Sequence, residues 1–537
     1  LVGSEMCIRD RYVEDIFVGY RYFETFAKEK ALFPFGYGLS YTNFDIELLD
    51  FKADKEKMTA KVQVTNIGKY AGKEVVELFA MAPQGKLTKP LMSLVSFAKT
   101  TELAPGESQK IDLEVPAYNF ASFDDTGITG HKYAYILEKG EYKFFIGENV
   151  REAQEIGSFE YSEDTVLEEL EAICAPKEYI DRIIAHKING SYIPKKVTVK
   201  PEKPYLRERI IKNLPKEIGH IVHNYNFELV KSGEISVETF VSSLNNEELE
   251  ALTRGQGGMD SNYGVAGNAG ALGGIIPELN KKGIPPVITT DGPAGIRVRK
   301  YTSLIPCGTA LASTFNTELV EKLATEMGRE LRNAGSNVLL APGMNIHRNV
   351  LCGRNFEYFS EDPLLTGKMA AAYVKGIQAS GGSACPKHFA CNNQESFRTV
   401  NNSIVSQRAL REIYLKGFEI CVKEAKPLNI MTSYNKINGV WSHYNYDLVT
   451  TVLRKEWGFD GSVMTDWWMQ HSQSHEFPNL RDNAYRVRSQ VDVYMPGSFK
   501  KTEKKYKPDK SLLETVGLKN GLTRGEPVSY THLRAHE

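Results

Sequence analysis

Along residues 43–162 apolar and polar positions alternate with a period of two. Phe44, Ile46 and Leu48 take every second place. So do Met58, Ala60, Val62 and Val64, and later Ile111, Leu113 and Val115. Further runs lie at 73–81, 92–98, 131–138 and 141–147, with turn signals between them at Asn66-Ile67-Gly68, Pro105-Gly106 and Lys139-Gly140. Short strands with one buried face, separated by turn residues, predict a β-sandwich of immunoglobulin or fibronectin type III kind. Asp124 and Asp125, inside this stretch, read as a solvated turn.

From about residue 241 the period changes. "NTELVEKLATEMGRELRNAG" predicts a helix capped by Asn316, with an apolar stripe at Leu319, Leu323, Met327 and Leu331. Helix-like segments such as "PLLTGKMAAAYVKGIQAS" and "YDLVTTVLRKEWG" alternate with strand-like runs: "PPVITTDG", "NVLLAPG", "SACPKHFACNN", "LNIMTSYN", "GSVMTDWW" and "VDVYMPG". Repeated strand-then-helix units predict a parallel sheet closed by helices, most simply an α/β TIM-type (β/α)8 barrel. The expected fold is therefore multidomain, a sandwich followed by a barrel at 241–526.

The remaining segments are less regular. Residues 12–42 are rich in aromatics and broken by Pro34, Gly36 and Gly38, which suits packing between two domains or one wall of a site. Residues 163–240 read as a connector: "EDTVLEELEAICA" as an acidic amphipathic helix, "IPKKVTVKPEKPYLRERIIKNLPKE" as a basic, proline-punctuated surface segment able to pair with it. The ends, 1–11 and 527–537, lack periodicity that continues into their neighbours. They resemble read-through at the ends of assembled fragments and are set aside as non-native tails.

Composition narrows the class. The 537 residues are 42% hydrophobic and 25% charged, and Lys+Arg 66 against Asp+Glu 67 leaves a net charge of -1. That balance gives no electrostatic case for nucleic acid or an anionic membrane. No apolar run approaches the roughly 20 residues that span a bilayer. Seven cysteines without CxxC spacing predict buried free thiols in a reducing, cytoplasmic compartment.

The candidate chemistry collects at predicted strand ends, where a (β/α) barrel keeps its functional groups. Asp291 follows Val287–Thr290. His347, Arg348 and Arg354 follow Val338–Ala341. Lys387 and His388 lie in the 383–391 strand, with Asn392, Asn393 and Glu395 after it. Tyr434 and Asn435 end Ile430–Ser433, and Asp466 ends Ser462–Thr465. Asp, Lys, His and Arg can each pair with vicinal hydroxyls, while Trp467 and Trp468 offer an apolar face, so a polyhydroxylated, uncharged ligand is expected. The glycines at 255–274 lack a preceding strand and a following acid, which argues against a dinucleotide site and for a flexible loop over the barrel mouth. His347, His388 and Asp466 lack close ligand spacing, so no metal and no cofactor is expected. A carboxylate beside cations that lower its pKa is a fit nucleophile, a role that suits Asp466.

"TTDGPAGIR", "GRNFEYFSEDP", "KHFACNNQE", "IMTSYNKING" and "LRKEWGFDGSVMTDWW" resemble the successive motifs of glycoside hydrolase family 3, the β-glucosidase family. "FVGYRYFETF…FPFGYGLSYT" resembles that family's junction between an α/β sandwich domain and a fibronectin type III-like domain. With the sandwich module before the barrel, the order is similar to that of the permuted clostridial β-glucosidases. The resemblance implies a retaining, exo-acting hydrolase that releases terminal β-D-glucosyl residues. Asp466 matches the family's nucleophile. Asp291, Arg354, Lys387, His388 and Tyr434 match the residues that hold the terminal glucose, and Trp467 joins them as a substrate-binding candidate. The "FACNNQE" run favours β-glucosides over amino sugars and leaves β-xylosides open.

Two departures shape the expectation. The family's acid/base carboxylate comes from the α/β sandwich domain, which in this order lies upstream of residue 12, so no residue here inherits that role; Glu395 is expected to orient a cationic neighbour. "GLKNGLTRGE" resembles the turn before the last barrel helix, so a barrel incomplete at its C-terminus is expected. The chain thus reads as a β-glucosidase fragment with a carbohydrate as its partner, and assembly into a homo-oligomer is compatible with the sequence. The rival reading is a sugar-binding fragment without turnover.

Overall fold

The computed structural model describes residues 9–202, 205–215, 218–256 and 259–499. In the C-terminal half, apolar runs form eight strands in two four-stranded sheets. One sheet runs Arg254–Gln256, Val493–Phe499, Ser462–Trp467, Asn429–Thr432, all parallel. The other runs Gly270–Gly273, Pro286–Asp291, Val338–Leu340, Ser383–Ala384; its first pair is antiparallel and the rest are parallel. The ladder is therefore two arcs and not the single closed sheet expected. The arcs approach at both seams, Arg254–Gln256 beside Gly270–Gly273 and Ser383–Ala384 beside Asn429–Thr432. Asn429 donates to the Ser383 hydroxyl across the second seam at 2.6 Å. Leu272, Leu340, Cys385, Met431 and Met464 fill the space between the arcs.

Two expectations are corrected here. The glycine stretch is not all loop: its two ends form the strands Arg254–Gln256 and Gly270–Gly273, and residues 259–269 run between them as turns and bends. Glycine is required by close approach, since a Cβ on Gly274 would fall 1.8 Å from the Ile284 carbonyl oxygen. The helix Thr317–Asn333 is capped by Asn316 as predicted, its side chain accepting from the Leu319 amide at 2.9 Å. Its buried stripe is Val320, Ala324, Met327 and Leu331, however, while Leu319 is exposed. Small residues set this rotation: a Cβ on Gly376 of the neighbouring helix Pro363–Ala379 would sit 2.7 Å from the Ala324 Cβ, so the two helices touch along that line.

The N-terminal half is a sandwich. A sheet of Gln154–Tyr161, Gly140–Gly147, Val75–Met81 and Ser93–Lys99 packs on one of Phe44–Ala53, Lys57–Asn66 and Ser108–Pro116. The period-two alternation buries Met58, Ala60, Val62 and Val64 with Ile111, Leu113 and Val115. Other expectations fail. "EDTVLEELEAICA" is not a helix: Thr165–Glu169 is a strand whose edge pairing with Ala134–Leu137 overrides its helical spacing. Asp124 and Asp125 are buried, the first accepting from the Gly127 and Thr129 amides at 2.7 and 2.8 Å, the second paired to Arg182 at 2.9 Å. The connector contains a long hairpin, Ile180–Ile188 with Ser191–Val199, turning at Asn189-Gly190 where both φ angles are positive. Its acidic and basic pieces do pair, Glu171 with Arg209 at 2.8 Å. The first tail also reaches the fold, since Arg9–Arg11 pairs in parallel with Asn402–Ile404; residues 1–8 and 527–537 lie outside the described residues. Six of the seven cysteines are described and free, and all but Cys307 are buried.

The aromatic segment lies between the two halves. Tyr20 donates to Asp362 at 2.9 Å and accepts from the Leu94 amide of the sandwich at 2.8 Å, and Arg21 pairs with Asp362 at 2.9 Å. Phe35 stacks on Tyr20 at 4.4 Å. Behind it the sandwich buries Glu77 completely, neither of whose oxygens makes a hydrogen bond among the described residues. Burial, and secondarily Asp362 and Glu74, push its carboxyl well above the usual range. The unfolded chain therefore sheds this proton at a lower pH than the folded one, and stability falls as pH rises above the ordinary carboxylate value. Glu77→Gln is expected to stabilise the chain by about 1–3 kcal/mol at pH 8 and by less at pH 5, measured as the difference in urea unfolding.

Candidate active site

Parallel strands place their C-terminal residues at one end of a sheet, and six of the predicted residues meet there. Asp291 is the last residue of Pro286–Asp291, and Asp466 is the penultimate residue of Ser462–Trp467. Lys387 and His388 follow the short strand Ser383–Ala384, in an extended run that touches both neighbours through Gly343–Lys387 and Phe389–Thr432 bridges. Arg354 opens the turn Asn355–Glu357, and Tyr434 stands just beyond Asn429–Thr432.

Paired charges organise the site. Lys387, 4% exposed, donates to Asp291 at 2.8 Å, and Arg297 pairs with the other Asp291 oxygen at 3.0 Å. Burial alone would raise the Asp291 carboxyl, but Lys387 and Arg297 outweigh it and hold the group at about 2. Arg354 donates to Glu357 at 2.6 Å and has its Nη1 2.9 Å from His388 Nε2. Burial, then the Arg354, Lys387 and Arg398 cations, hold His388 well below its ordinary value, so the ring is neutral at pH 7. Its 3.5 Å approach to Asp466 is then not an ion pair.

Asp466 is 8% exposed. The Trp467 amide donates to its Oδ1 at 2.7 Å, and its Oδ2 makes no hydrogen bond among the described residues. Burial raises its carboxyl above the usual value. The Trp467 amide, Lys387, Arg354 and Arg398 pull it back only in part. This reverses the direction expected from neighbouring cations alone, because the strand end is enclosed as well as positively lined. Tyr434 borders Asp466, and burial and then that carboxylate hold its phenol above the usual value.

Residues 241–520 match the family described as Glycosyl hydrolase family 3 N terminal domain, and residues 74–150 match a fibronectin type III-like domain. The chain belongs to glycosyl hydrolase family 3. It is 44% identical over 489 residues to a β-glucosidase of Ruminococcus albus, an alignment covering 90% of this chain and 51% of that protein. With β-glucosidase A of Butyrivibrio fibrisolvens it shares 41% over 505 residues, 85% of this chain and 59% of the relative. Its structure superposes on that of a β-glucosidase from Paenibacillus barengoltzii with a TM-score of 0.91 at 42% identity, covering 98% of this chain and 58% of that one. The chain thus spans between half and three fifths of the length of these relatives.

Within this family 3 site, some candidates lie apart. Arg348 turns away to pair with Asp10 at 2.6 Å and with Glu14, over the Tyr12 ring. Trp467 is 5% exposed, with its indole donating to the Ala269 carbonyl at 3.0 Å, while Trp468 is 61% exposed. Other residues at the site were not singled out by sequence. Arg398 stacks over Tyr434 at 4.6 Å and pairs with Glu395 at 2.7 Å. Tyr358 has its hydroxyl 3.2 Å from His388 Nδ1. Tyr358 and Arg297 lie inside the family-like motifs "GRNFEYFSEDP" and "TTDGPAGIR", and Arg398 follows "KHFACNNQE". Neither spacing nor periodicity marks any of the three.

The Asp291–Lys387 pair gives a test of the site's electrostatics. Asp291→Asn leaves a buried ammonium without its carboxylate and is expected to destabilise the chain by about 3–5 kcal/mol. The double variant with Lys387→Met is expected to recover part of that loss in urea unfolding. The wild-type contribution is full above the ordinary carboxylate range and is lost as pH falls toward about 2.

Proposed function

We propose that this chain carries the glycosyl-binding and nucleophilic half of a retaining, exo-acting β-glucosidase. The two sheet arcs are read as the wall of one (β/α)8-type barrel, with the site at its C-terminal mouth. The observation that carries the reading is the state of Asp466: a buried carboxylate at a strand end, with one oxygen fixed by a backbone amide and the other free, facing four of the residues matched to sugar binding. The names of the relatives above support β-glucosides as the substrate class.

In this reading Asp291, Lys387, His388, Arg354 and Tyr434 hold the terminal glucosyl ring, with Trp467 packed behind Asp466. The free Asp466 oxygen attacks the anomeric carbon as the bond to the leaving oxygen breaks. A covalent glycosyl ester results, which water then hydrolyses with retention. The leaving oxygen needs a proton, and no described residue is assigned to supply it. Glu395, the nearest candidate in sequence, is paired to Arg398 and accepts from Asn392 at 3.1 Å. Without a general acid, turnover of poor leaving groups is expected to fall by about 10²–10⁴.

A 2-fluoro-glucosyl probe with a good leaving group needs the nucleophile and little acid assistance. One hexosyl adduct on the Asp466 peptide is expected by intact mass and peptide mapping, and none in Asp466→Asn. A folded chain that stays unlabelled would favour a sugar-binding module without turnover. The labelling rate is expected to fall on the acid side with a midpoint above the ordinary aspartate value. Lys387→Met moves that midpoint higher, because it removes a charge that favours the ionised form.

A further inference from the structure

The loop after Lys387-His388 carries Glu395 and Arg398 to the site, and one buried hydroxyl meets both of its stems. Tyr12 Oη lies 3.2 Å from the Cys391 carbonyl and 3.2 Å from Asn393 Oδ1 on the first stem, and 3.2 Å from Ser403 Oγ on the second. Asn393 Nδ2 donates to the Ile346 carbonyl at 2.5 Å, so its amide oxygen is the atom turned to Tyr12. Both partners on the first stem are acceptors, and the phenol hydrogen is theirs. Ser403 accepts from Asn435 Nδ2 at 3.3 Å and keeps its own hydrogen for the phenol oxygen or for the Cys391 carbonyl at 3.3 Å. Either choice joins the two stems.

The loop needs such a clasp. Cys391 at its start has φ +62° and Phe397 in its middle has φ +55°. A side chain disfavours that left-handed region, so the backbone keeps this course only where contacts impose it. Residues 395–401 are tied mainly to one another: the Arg398 amide to the Glu395 carbonyl at 3.3 Å, the Val400 and Asn401 amides to the Phe397 carbonyl at 2.9 Å. Their placement therefore depends on the stems. Tyr12 is itself firmly seated. Its amide donates to the Ile404 carbonyl at 2.9 Å, continuing the ladder of Arg9–Arg11 with Asn402–Ile404. Its ring lies 4.8 Å from the Tyr414 ring, with the Arg348 guanidinium carbon 3.9 Å from its centroid. Arg348, which turns away from the site, thus holds the ring that closes the loop.

We infer that Tyr12 is a positioning residue: its hydroxyl closes the loop between Cys391 and Ser403 and so holds the Glu395–Arg398 pair in place beside Asp466. This rests on reading Asp466 as the nucleophile, and it gives the segment ahead of the sandwich a part in the site. Asp466 faces Lys387, Arg354 and Arg398, the neutral His388 ring and the Tyr434 phenol. Of the three cations, Arg398 alone comes from the clasped loop, where it pairs with Glu395 at 2.7 Å and stacks over Tyr434 at 4.6 Å. Opening the clasp frees Arg398 to leave Asp466 and leaves Lys387 and Arg354 on their own carboxylates.

The test titrates Asp466 itself. Carboxyl signals are followed against pH in the chain labelled with carbon-13 aspartate, and the Asp466 signal is identified by its loss in Asp466→Asn. Tyr12→Phe removes the hydroxyl and keeps the ring between Arg348 and Tyr414. It is expected to move the Asp466 midpoint to higher pH, in the direction that Arg398→Gln moves it, because both withdraw a charge that favours the ionised form. Added to Arg398→Gln, Tyr12→Phe is expected to cause no further shift. Ser403→Ala opens the clasp from the other stem and is expected to repeat the Tyr12→Phe result, which keeps the test decisive if Tyr12→Phe does not fold. A folded Tyr12→Phe chain with the wild-type midpoint would overturn the inference and leave Tyr12 a purely structural residue, whatever its stability in urea. A shift that simply adds to that of Arg398→Gln would overturn it too. The titration needs no substrate, so a chain that takes no glucosyl label can still show the coupling, and a labelled chain can lack it.

Discussion

A carboxylate enclosed at the end of a strand stays useful only if its charge is balanced where water cannot do it. Around Asp466 the balance is close: Asp466, Asp291, Glu357 and Glu395 stand among Lys387, Arg297, Arg354 and Arg398. Each cation is held by a carboxylate other than Asp466. Lys387 belongs to Asp291, Arg354 to Glu357 and Arg398 to Glu395, so their fields reach the nucleophile candidate without a direct hydrogen bond occupying its free oxygen. His388 stays neutral in the same field. A buried array of this kind is costly to break by removing one member, which makes its geometry stiff.

The scaffold serves that stiffness. Asp291, Lys387, Tyr434 and Asp466 come from neighbouring strand ends whose register is fixed by backbone ladders, and whose inner faces are packed with Leu340, Cys385, Met431 and Met464. Two sections of chain that approach too closely for side chains are built from glycine at Gly274 and Gly376. The sandwich is tied to this body through Tyr20, Arg21 and Asp362, a hydrogen-bonded knot shared by three segments.

Much of this was legible in the chain. Period-two alternation located the sandwich strands, and apolar runs ending in polar residues located Asp291, Lys387-His388, Tyr434 and Asp466 at one end of the sheets. What escaped depends on partners distant in sequence. Thr165–Glu169 has the spacing of a helix and becomes a strand because Ala134–Leu137 offers an edge. Asp125 reads as solvated until Arg182 arrives from 57 residues away. Arg348 follows the right strand yet is drawn off by Asp10 and Glu14. The hairpin at Asn189-Gly190 is a different case, since that dipeptide signals a tight turn locally and could have been read. The direction of the Asp466 shift needed the depth of burial, which no residue pattern supplies.

The central claim is that the free oxygen of Asp466 faces the anomeric carbon of a sugar held by the paired charges around it. A crystal structure of the chain with glucose bound tests this most directly. The account predicts the pyranose ring in hydrogen-bonding reach of Asp291, Lys387 and Arg354, with its anomeric carbon about 3–3.5 Å from Asp466 Oδ2. A glucose lodged instead against the exposed Trp468, or seated in the pocket with its anomeric carbon turned away from Asp466, would contradict it.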